Sequence, residues 1–341
     1  MTEPAAYHLE GVRHFYGATP VLDIDGLDIE RGGITGLIGP NGSGKSTLLK
    51  LLAFAERPSS GKIFYNGRCA FPFSPRVRSR VTLLTQNPYL LKRTVFDNVA
   101  YGLQIKKETK ELEQRVRTVL AEVGLEYDGF ARRKWHQLSG GERQRVAMAA
   151  RLILNPEVLL LDEPTASVDT KSATLIRQAS LKARDLRGTT LVIASHDIQW
   201  LSSVCDKQLS IFKGTVFATG LENIIAPPFE RLDNGMLVKR LGDGQVIKLK
   251  APGEKGCTAV VRKQHIFLAG DNRPESNGDN QLAGHIASLL LEKKRMTILA
   301  TVSVHDLSFV MRLTPDQVTS LALYPGKPIV LNFAADSVEW I

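Results

Sequence analysis

The chain has 341 residues, 43% of them apolar and 23% charged, and its 44 Lys and Arg against 35 Asp and Glu leave a formal charge of +9. These proportions are those of a folded globular protein and exclude wholly disordered, collagen-like and low-complexity chains. At ~150 residues per domain the length predicts about two domains, each able to bury a core without metal or disulfide staples.

Residues 7–38 alternate apolar and polar positions over Tyr7–Val12 and Val21–Ile29, which predicts strands, and Gly32-Gly33 turns the chain into an apolar strand at Ile34–Ile38. A glycine-rich loop follows, then a helix over Ser46–Glu56, then short strands in 61–86 around a proline-rich loop at Phe71–Pro75. From Val95 to Ala131 the pattern is helical, with Leu112, Val116, Val119, Leu120 and Val123 at three- and four-residue spacing. Strand and helix alternation resumes at Val158–Leu161 and Thr190–Ala194, so the expectation is an α/β core with a helical insertion. Ala226-Pro227-Pro228 reads as a linker. Beyond it lie short β-like runs at Met236–Lys239, Gln245–Leu249, Thr258–Val261, Ile266–Ala269, Gly284–Leu291, Thr297–Val304 and Lys327–Phe333, which predict a small all-β barrel or sandwich. Asn272–Asn280 reads as a mobile loop.

No run approaches the ~18 apolar residues of a spanning helix. Met1–Glu10 lacks the basic and apolar regions of a signal peptide, so any membrane role is expected from the cytosolic side and through partners. The cysteines, Cys69, Cys205 and Cys257, have no metal-ligand spacing and suit a reducing compartment.

Gly39-Pro40-Asn41-Gly42-Ser43-Gly44-Lys45-Ser46-Thr47 satisfies G-x-x-x-x-G-K-[ST] between an apolar strand and a helix. Glycines there let backbone N–H groups curl around phosphate oxygens, and the helix N-terminus adds a favourable field. Lys45 brings a positive charge to the β/γ-phosphates and the Ser46 hydroxyl can ligate Mg²⁺. Val158–Glu163 is an apolar strand ending in two carboxylates: Asp162 is expected beside the metal, and Glu163 facing an attacking water. Leu138-Ser139-Gly140-Gly141-Glu142-Arg143-Gln144 opens a helical run. Ser139 is placed as its N-cap, and Gly140 and Gly141 form a second anion-binding nest, which makes sense for a nucleotide held by another copy of the chain.

Over roughly residues 5–220 these motifs and their order resemble the ABC-type ATPases, with Leu138–Gln144 similar to that family's signature motif. The resemblance implies an ATPase using ATP and Mg²⁺. Tyr16, 23 residues before Gly39, falls where the family stacks an aromatic on adenine. Gln86 resembles the glutamine linking the metal site to a helical subdomain, Ala166–Asp169 the D-loop, and His196 the histidine that contacts the γ-phosphate. Glu163, His196, Gln86 and Lys45 are then the catalytic candidates; Ser46, Gln86 and Asp162 are the Mg²⁺ candidates; Asp169 joins the ATP site. The resemblance further implies two copies meeting head to tail around two ATP molecules.

Nucleic-acid machines that resemble this family insert long coiled coils between P-loop and signature, whereas Lys45 and Ser139 are only 94 positions apart, without heptads. Translation-type relatives usually carry two cassettes, and exporters commonly fuse membrane helices to theirs. The expectation is therefore a separate importer subunit: a homodimer at the cytoplasmic face of the membrane, working with permease subunits and indirectly with a substrate-binding protein, not with nucleic acid. The resemblance divides the chain into an ATPase domain at 1–225 (helical subdomain about 87–137), a linker at 226–240, and a regulatory or dimerising domain at 241–341. That last part, through Val261–Leu268, Asn280–Ile286 and Leu331–Val338, is similar to the oligosaccharide-fold-like modules (TOBE/MOP type) of importer ATPases for oxyanions, ferric iron and sugars. Together with Gly36–Asn41 and Leu51–Phe54 it looks most like the tungstate/molybdate group; sulfate, ferric iron, sugar or polyamine are the alternative cargoes. Oxyanion-binding modules tend to carry Ser-Ala-Arg before the Asn and a Lys in the last strand. Here Gly278-Asp279 precedes Asn280 and Asn332-Phe333 stands near the end, while Lys293–Arg295 reads as a solvated hairpin tip. A structural or dimerising module is expected rather than an oxyanion sensor.

Overall fold

The computed structural model describes residues 5–72, 74, 77, 80–166, 168–217, 223–252, 259–269, 279–292 and 296–340. The chain forms two compact units, Met1–Gly220 and Leu221–Ile341. No helix among the described residues is long and apolar enough to cross a membrane.

The first unit is built on a ten-stranded sheet. Its strands are β1 (Tyr7–Tyr16), β2 (Thr19–Ile29), β3 (Ile34–Ile38), β4 (Ser60–Tyr65), β5 (Arg68–Cys69), β6 (Val81–Leu84), β7 (Val158–Asp162), β8 (Thr190–Ala194), β9 (Lys207–Phe212) and β10 (Thr215–Phe217). They lie in the order β5-β4-β1-β2-β10-β9-β3-β8-β7-β6. Strands β9, β3, β8, β7 and β6 are mutually parallel, and every residue of β3, β7 and β8 is buried. Continuous apolar runs mark strands covered on both faces, as parallel strands must be. In β1, by contrast, buried and exposed positions alternate, and it pairs antiparallel with β2 and β4. One core joins both halves of the sheet to the first helix, α1 (Lys45–Leu52).

The insertion is helical where the spacing predicts it: α2 (Val95–Ile105), α3 (Leu112–Glu122) and the short α4 (Tyr127–Phe130). Val116, Val119, Leu120 and Val123 form the buried stripe. Thr94 and Asp97 close a capping box on α2, and buried Asn98 bonds back to Leu91, tying the segment after β6 to the helix. The remaining helices are α5 (Gly140–Leu152), α6 (Thr170–Arg187) and α7 (Ile198–Val204).

The second unit packs three small sheets around one core. Its strands are β11 (Asn223–Ile225), β12 (Glu230–Arg231), β13 (Leu237–Arg240), β14 (Val246–Leu249), β15 (Ala259–Val261), β16 (Phe267–Leu268), β17 (Asp279–Glu292), β18 (Thr297–Val304), β19 (Leu307–Leu313), β20 (Pro328–Ala334) and β21 (Val338–Trp340), with one short helix, α8 (Pro315–Ser320). The expected linker at 226–240 is not a free connection. It contains β12 and β13, which pair with each other and with β14, because Leu237 and Val238 have hydrophobic positions to fill. Strand β19 and helix α8 went unread in the sequence. Of the loop expected at 272–280, residues 279–280 begin β17 and the rest lies outside the described residues, as do Gly278 and Lys293–Arg295.

Asn280, expected as a signature of the module, is buried and spent on the fold. It accepts from the Lys248 amide at 2.6 Å and donates to the Lys248 carbonyl at 2.9 Å, joining β17 to β14. Phe333 lies in the core. Asn280→Ala strands two part-buried backbone groups of Lys248 and is expected to lower the stability of this unit by about 1–3 kcal/mol, read by chemical denaturation of the full chain with a probe in residues 223–340.

Candidate functional site

Four neighbouring parallel strands end at the candidate site residues. Strand β3 runs into Gly39, β8 into Ser195-His196, β7 ends on Asp162-Glu163, and β6 leads to Gln86. The register is tight at this edge: Ala194 pairs with Leu37 on one side and with Asp162 on the other. The carboxyl ends of parallel strands are where α/β sheets bind ligands.

The loop after β3 is shaped by its glycines. Gly44 has φ +108, and a Cβ there would come within 2.7 Å of the Leu22 side chain and 2.9 Å of the Val21 carbonyl. Ser43 is buried and its Oγ has no hydrogen-bond partner among the described residues, while Asn41, Gly42 and Ser46 are exposed. Lys45 is 6% exposed, and its Nζ donates to the carbonyls of Gly39 at 2.7 Å and Pro40 at 3.0 Å. Burial pushes the Lys45 ammonium below its ordinary pKa, and the charges of Glu163 and Asp162 pull it part of the way back. Thr47 is buried one residue further into α1.

Glu163 sits in the left-handed region at φ +46, costly for a non-glycine residue. Its amide donates to the Ala194 carbonyl and its Oε2 accepts from the His196 amide at 3.2 Å. His196 Nε2 lies 3.0 Å from Glu163 Oε1, off hydrogen-bond alignment, with its ring largely in solvent. Asp162 is buried and its Oδ1 has no partner among the described residues. Gln86 is exposed beyond β6.

Ser139 caps α5 in a box with Glu142, leaving Gly140 open to solvent. Gly141 packs so closely on α6 that a Cβ would fall 2.5 Å from Ser172 Oγ and 2.6 Å from Asp169 Oδ2. Asp169 caps α6 through the Ser172 amide, a bond that holds its carboxyl below the ordinary range. The structure therefore joins Ser139–Gly141 to Asp169. Among the described residues, no hydrogen bond or ion pair joins either group to Lys45. Tyr16 ends β1 with its ring 46% exposed.

The sequence profile of the ABC transporters matches residues 22–166. The tungstate uptake system ATP-binding protein of Peptoclostridium acidaminophilum is 36% identical over 209 residues, spanning 61% of this chain and 95% of that protein. This chain belongs to the ABC transporter ATP-binding family. The sulfate/thiosulfate import ATP-binding protein of Synechococcus elongatus is 41% identical over 210 residues, 61% of this chain and 60% of the relative. The spermidine/putrescine import ATP-binding protein of Mycoplasma capricolum is 28% identical over 327 residues, covering 88% and 92%. Among solved structures, a dimeric ATP-binding cassette in a post-hydrolysis state with ADP and phosphate matches with a TM-score of 0.58 at 28% identity, over 62% of this chain and 96% of that one.

As an ABC importer ATPase, the protein binds and hydrolyses ATP. The residues present would suit a magnesium nucleotide: Asp162 Oδ1 has no partner among the described residues, Ser46 and Gln86 are exposed, and burial already lowers the Lys45 pKa. Bound Mg²⁺ would neutralise charge on the β- and γ-phosphates.

Sequence reasoning missed several residues that hold the site. Gln144 donates to the Pro164 carbonyl at 3.2 Å, and Arg145 to the Gly124 carbonyl at 2.8 Å, fixing α5 between the loop after β7 and the end of α3. Arg177 pairs with Asp197, the N-cap of α7, next to His196. Only the position of Gln144 in the signature motif gave any hint. Gly44→Ala forces a left-handed alanine into occupied space and is expected to weaken ATP binding about 5- to 150-fold, measured by calorimetry.

Proposed function

We propose that this protein is the ATP-hydrolysing subunit of an importer that drives uptake of a tetrahedral oxyanion such as tungstate or molybdate through separate permease subunits. The observation that carries the catalytic reading is the strained Glu163, held at a strand end by the Ala194 carbonyl and the His196 amide. Glu163 takes the proton of the attacking water. His196, whose Nε2 lies at that carboxylate, helps align it and meets the γ-phosphate. Lys45 balances the β/γ charge, and Gln86 senses the nucleotide from the segment leading to the helical insertion. Ser46 and Asp162, with Gln86, would hold Mg²⁺.

Each site is read as composite: the P-loop of one copy faces Ser139, Gly140 and Gly141 of a second, with Asp169 close by. The N-terminus of α5 supports this, since Ser139 and Gly140 are exposed there and no hydrogen bond or ion pair among the described residues joins them to Lys45. Permease subunits are read as docking on the helical insertion, where Thr94, Phe96, Glu113, Arg117 and Tyr127 line a 690 Å³ groove. On this reading the protein works at the cytoplasmic face of the membrane. The oxyanion reading rests on the tungstate and sulfate relatives, at 36% and 41% identity. A polyamine cargo is the second reading, because the spermidine/putrescine relative spans the second unit as well. The second unit is read as structural or dimerising.

Glu163→Gln is expected to keep ATP binding, to lose about 10²–10⁴-fold in turnover, and to trap a dimer in ATP. Steady-state hydrolysis and gel filtration with and without ATP check this, and an undiminished rate would overturn the general-base assignment. Cells lacking the protein are expected to lose uptake of tungstate or molybdate while keeping that of spermidine, measured with isotopically labelled cargo; the reverse outcome selects the polyamine reading.

A further inference from the structure

Tyr16 is the last residue of β1, just after a register shift between His14 and Phe15 and just before a tight turn at Gly17 with φ +61. Its ring is nearly half exposed, and an exposed aromatic on a turn has rotamer freedom to lose when a base stacks on it. The structure removes that freedom in advance. The Tyr16 hydroxyl donates to Glu56 Oε2 at 2.6 Å. The other oxygen of Glu56 pairs with Lys50 Nζ at 3.2 Å, and the same ammonium lies 5.8 Å from the Tyr16 ring centroid, over one face. Buried His14 packs edge-on against the ring at 4.9 Å, with its Nε2 3.5 Å from Glu56 Oε2. One face of the ring is thereby taken by a cation, one edge by an imidazole and the hydroxyl by a carboxylate.

Glu56 lies four residues beyond the end of α1, the helix that Lys45 opens. Lys50 belongs to α1 itself. The clamp on Tyr16 therefore stands at the C-terminal end of a helix about 12 Å long whose N-terminus is the phosphate cradle. Burial works to raise the pKa of Glu56, but the hydrogen bonds from Tyr16 and Lys50, with the charges of Lys50 and His14, hold it below the ordinary range. The acceptor is an ionised one, and the phenol bond is charge-assisted.

We propose that Glu56 is a positioning residue for the nucleotide base: it fixes the Tyr16 platform to the P-loop helix, so that base affinity depends on a carboxylate that does not itself touch the nucleotide. The inference rests on the reading of Tyr16 as the base platform. It predicts an effect confined to the base end of ATP, with the phosphate end unaltered.

Calorimetry on the full chain with ATP, and with inorganic tripolyphosphate as a ligand without a base, tests it. Tyr16→Phe and Glu56→Ala are each expected to weaken ATP about 2- to 10-fold while leaving tripolyphosphate affinity in place. The double variant should be no worse than the weaker single one, and KM for ATP should rise by a larger factor than kcat falls. Glu56→Gln, which keeps an acceptor for the hydroxyl, should recover most of the loss. Tyr16→Ala separates the two layers of the argument. If Tyr16→Ala binds ATP normally, the platform reading fails and the clamp with it. If Tyr16→Ala weakens ATP but Tyr16→Phe and Glu56→Ala do not, the platform stands and the clamp is refuted. Additive losses, or equal losses for tripolyphosphate, also refute the clamp and make Glu56 a general prop of α1. Should Glu56→Ala fail to fold, Tyr16→Phe decides alone, because it deletes only the hydroxyl.

Discussion

Strands β3, β8, β7 and β6 run parallel, and the first three are buried along their whole length. Such strands have almost no room for polar side chains, because an unpaired polar group costs several kcal/mol in an apolar interior. Charged and hydrogen-bonding residues are therefore pushed to the strand ends. Since the strands point the same way, their polar ends lie along one edge of the sheet. The P-loop, Asp162-Glu163, His196 and Gln86 are neighbours for that reason, although more than 150 positions separate the first from the last-numbered of them.

Once the carboxylates and Lys45 share that edge, burial and the neighbouring charges act in opposite directions on the Lys45 ammonium. The Lys45 ammonium is largely buried and donates to the Gly39 and Pro40 carbonyls. Nearby Glu163 and Asp162 favour its charge. Asp162 Oδ1 has no partner among the described residues. Such a site suits a ligand that brings phosphate, and unsatisfied buried groups are tolerated where they serve binding. The left-handed backbone of Glu163 is a local strain of the same kind, held by β8 on one side and the His196 amide on the other.

The signature segment follows a different logic. Its glycines are used in two ways: Gly140 leaves the helix N-terminus open, while Gly141 lets α5 lie directly on the start of α6. A side chain at Gly141 would displace Asp169 or Ser172. The start of α5 and the cap of α6 thus pack directly on each other.

Much of this was legible in the sequence. Strands β3, β7 and β8 follow from apolar runs too short for helices, α3 from its spacing, and the P-loop and signature from patterns whose glycines have a mechanical purpose. In the second unit most strands could be read, but β19 could not, because Leu307–Leu313 packs residues of both faces against neighbours and shows weak alternation. The segment 226–240 looked like a linker because its prolines and glycine are local signals, whereas the pairing that makes β12 and β13 strands is tertiary. The same holds for Asn280, whose part in joining β17 to β14 is visible only in its hydrogen bonds to Lys248. The sequence by itself determined the family and the phosphate-binding pattern, since these depend on residue type and short spacing. Only the tertiary structure decided the strain at Glu163, the contact of Gly141 with Asp169 and the clamp of Glu56 on Tyr16. Those depend on backbone angles and on contacts between distant segments, neither of which local pattern encodes.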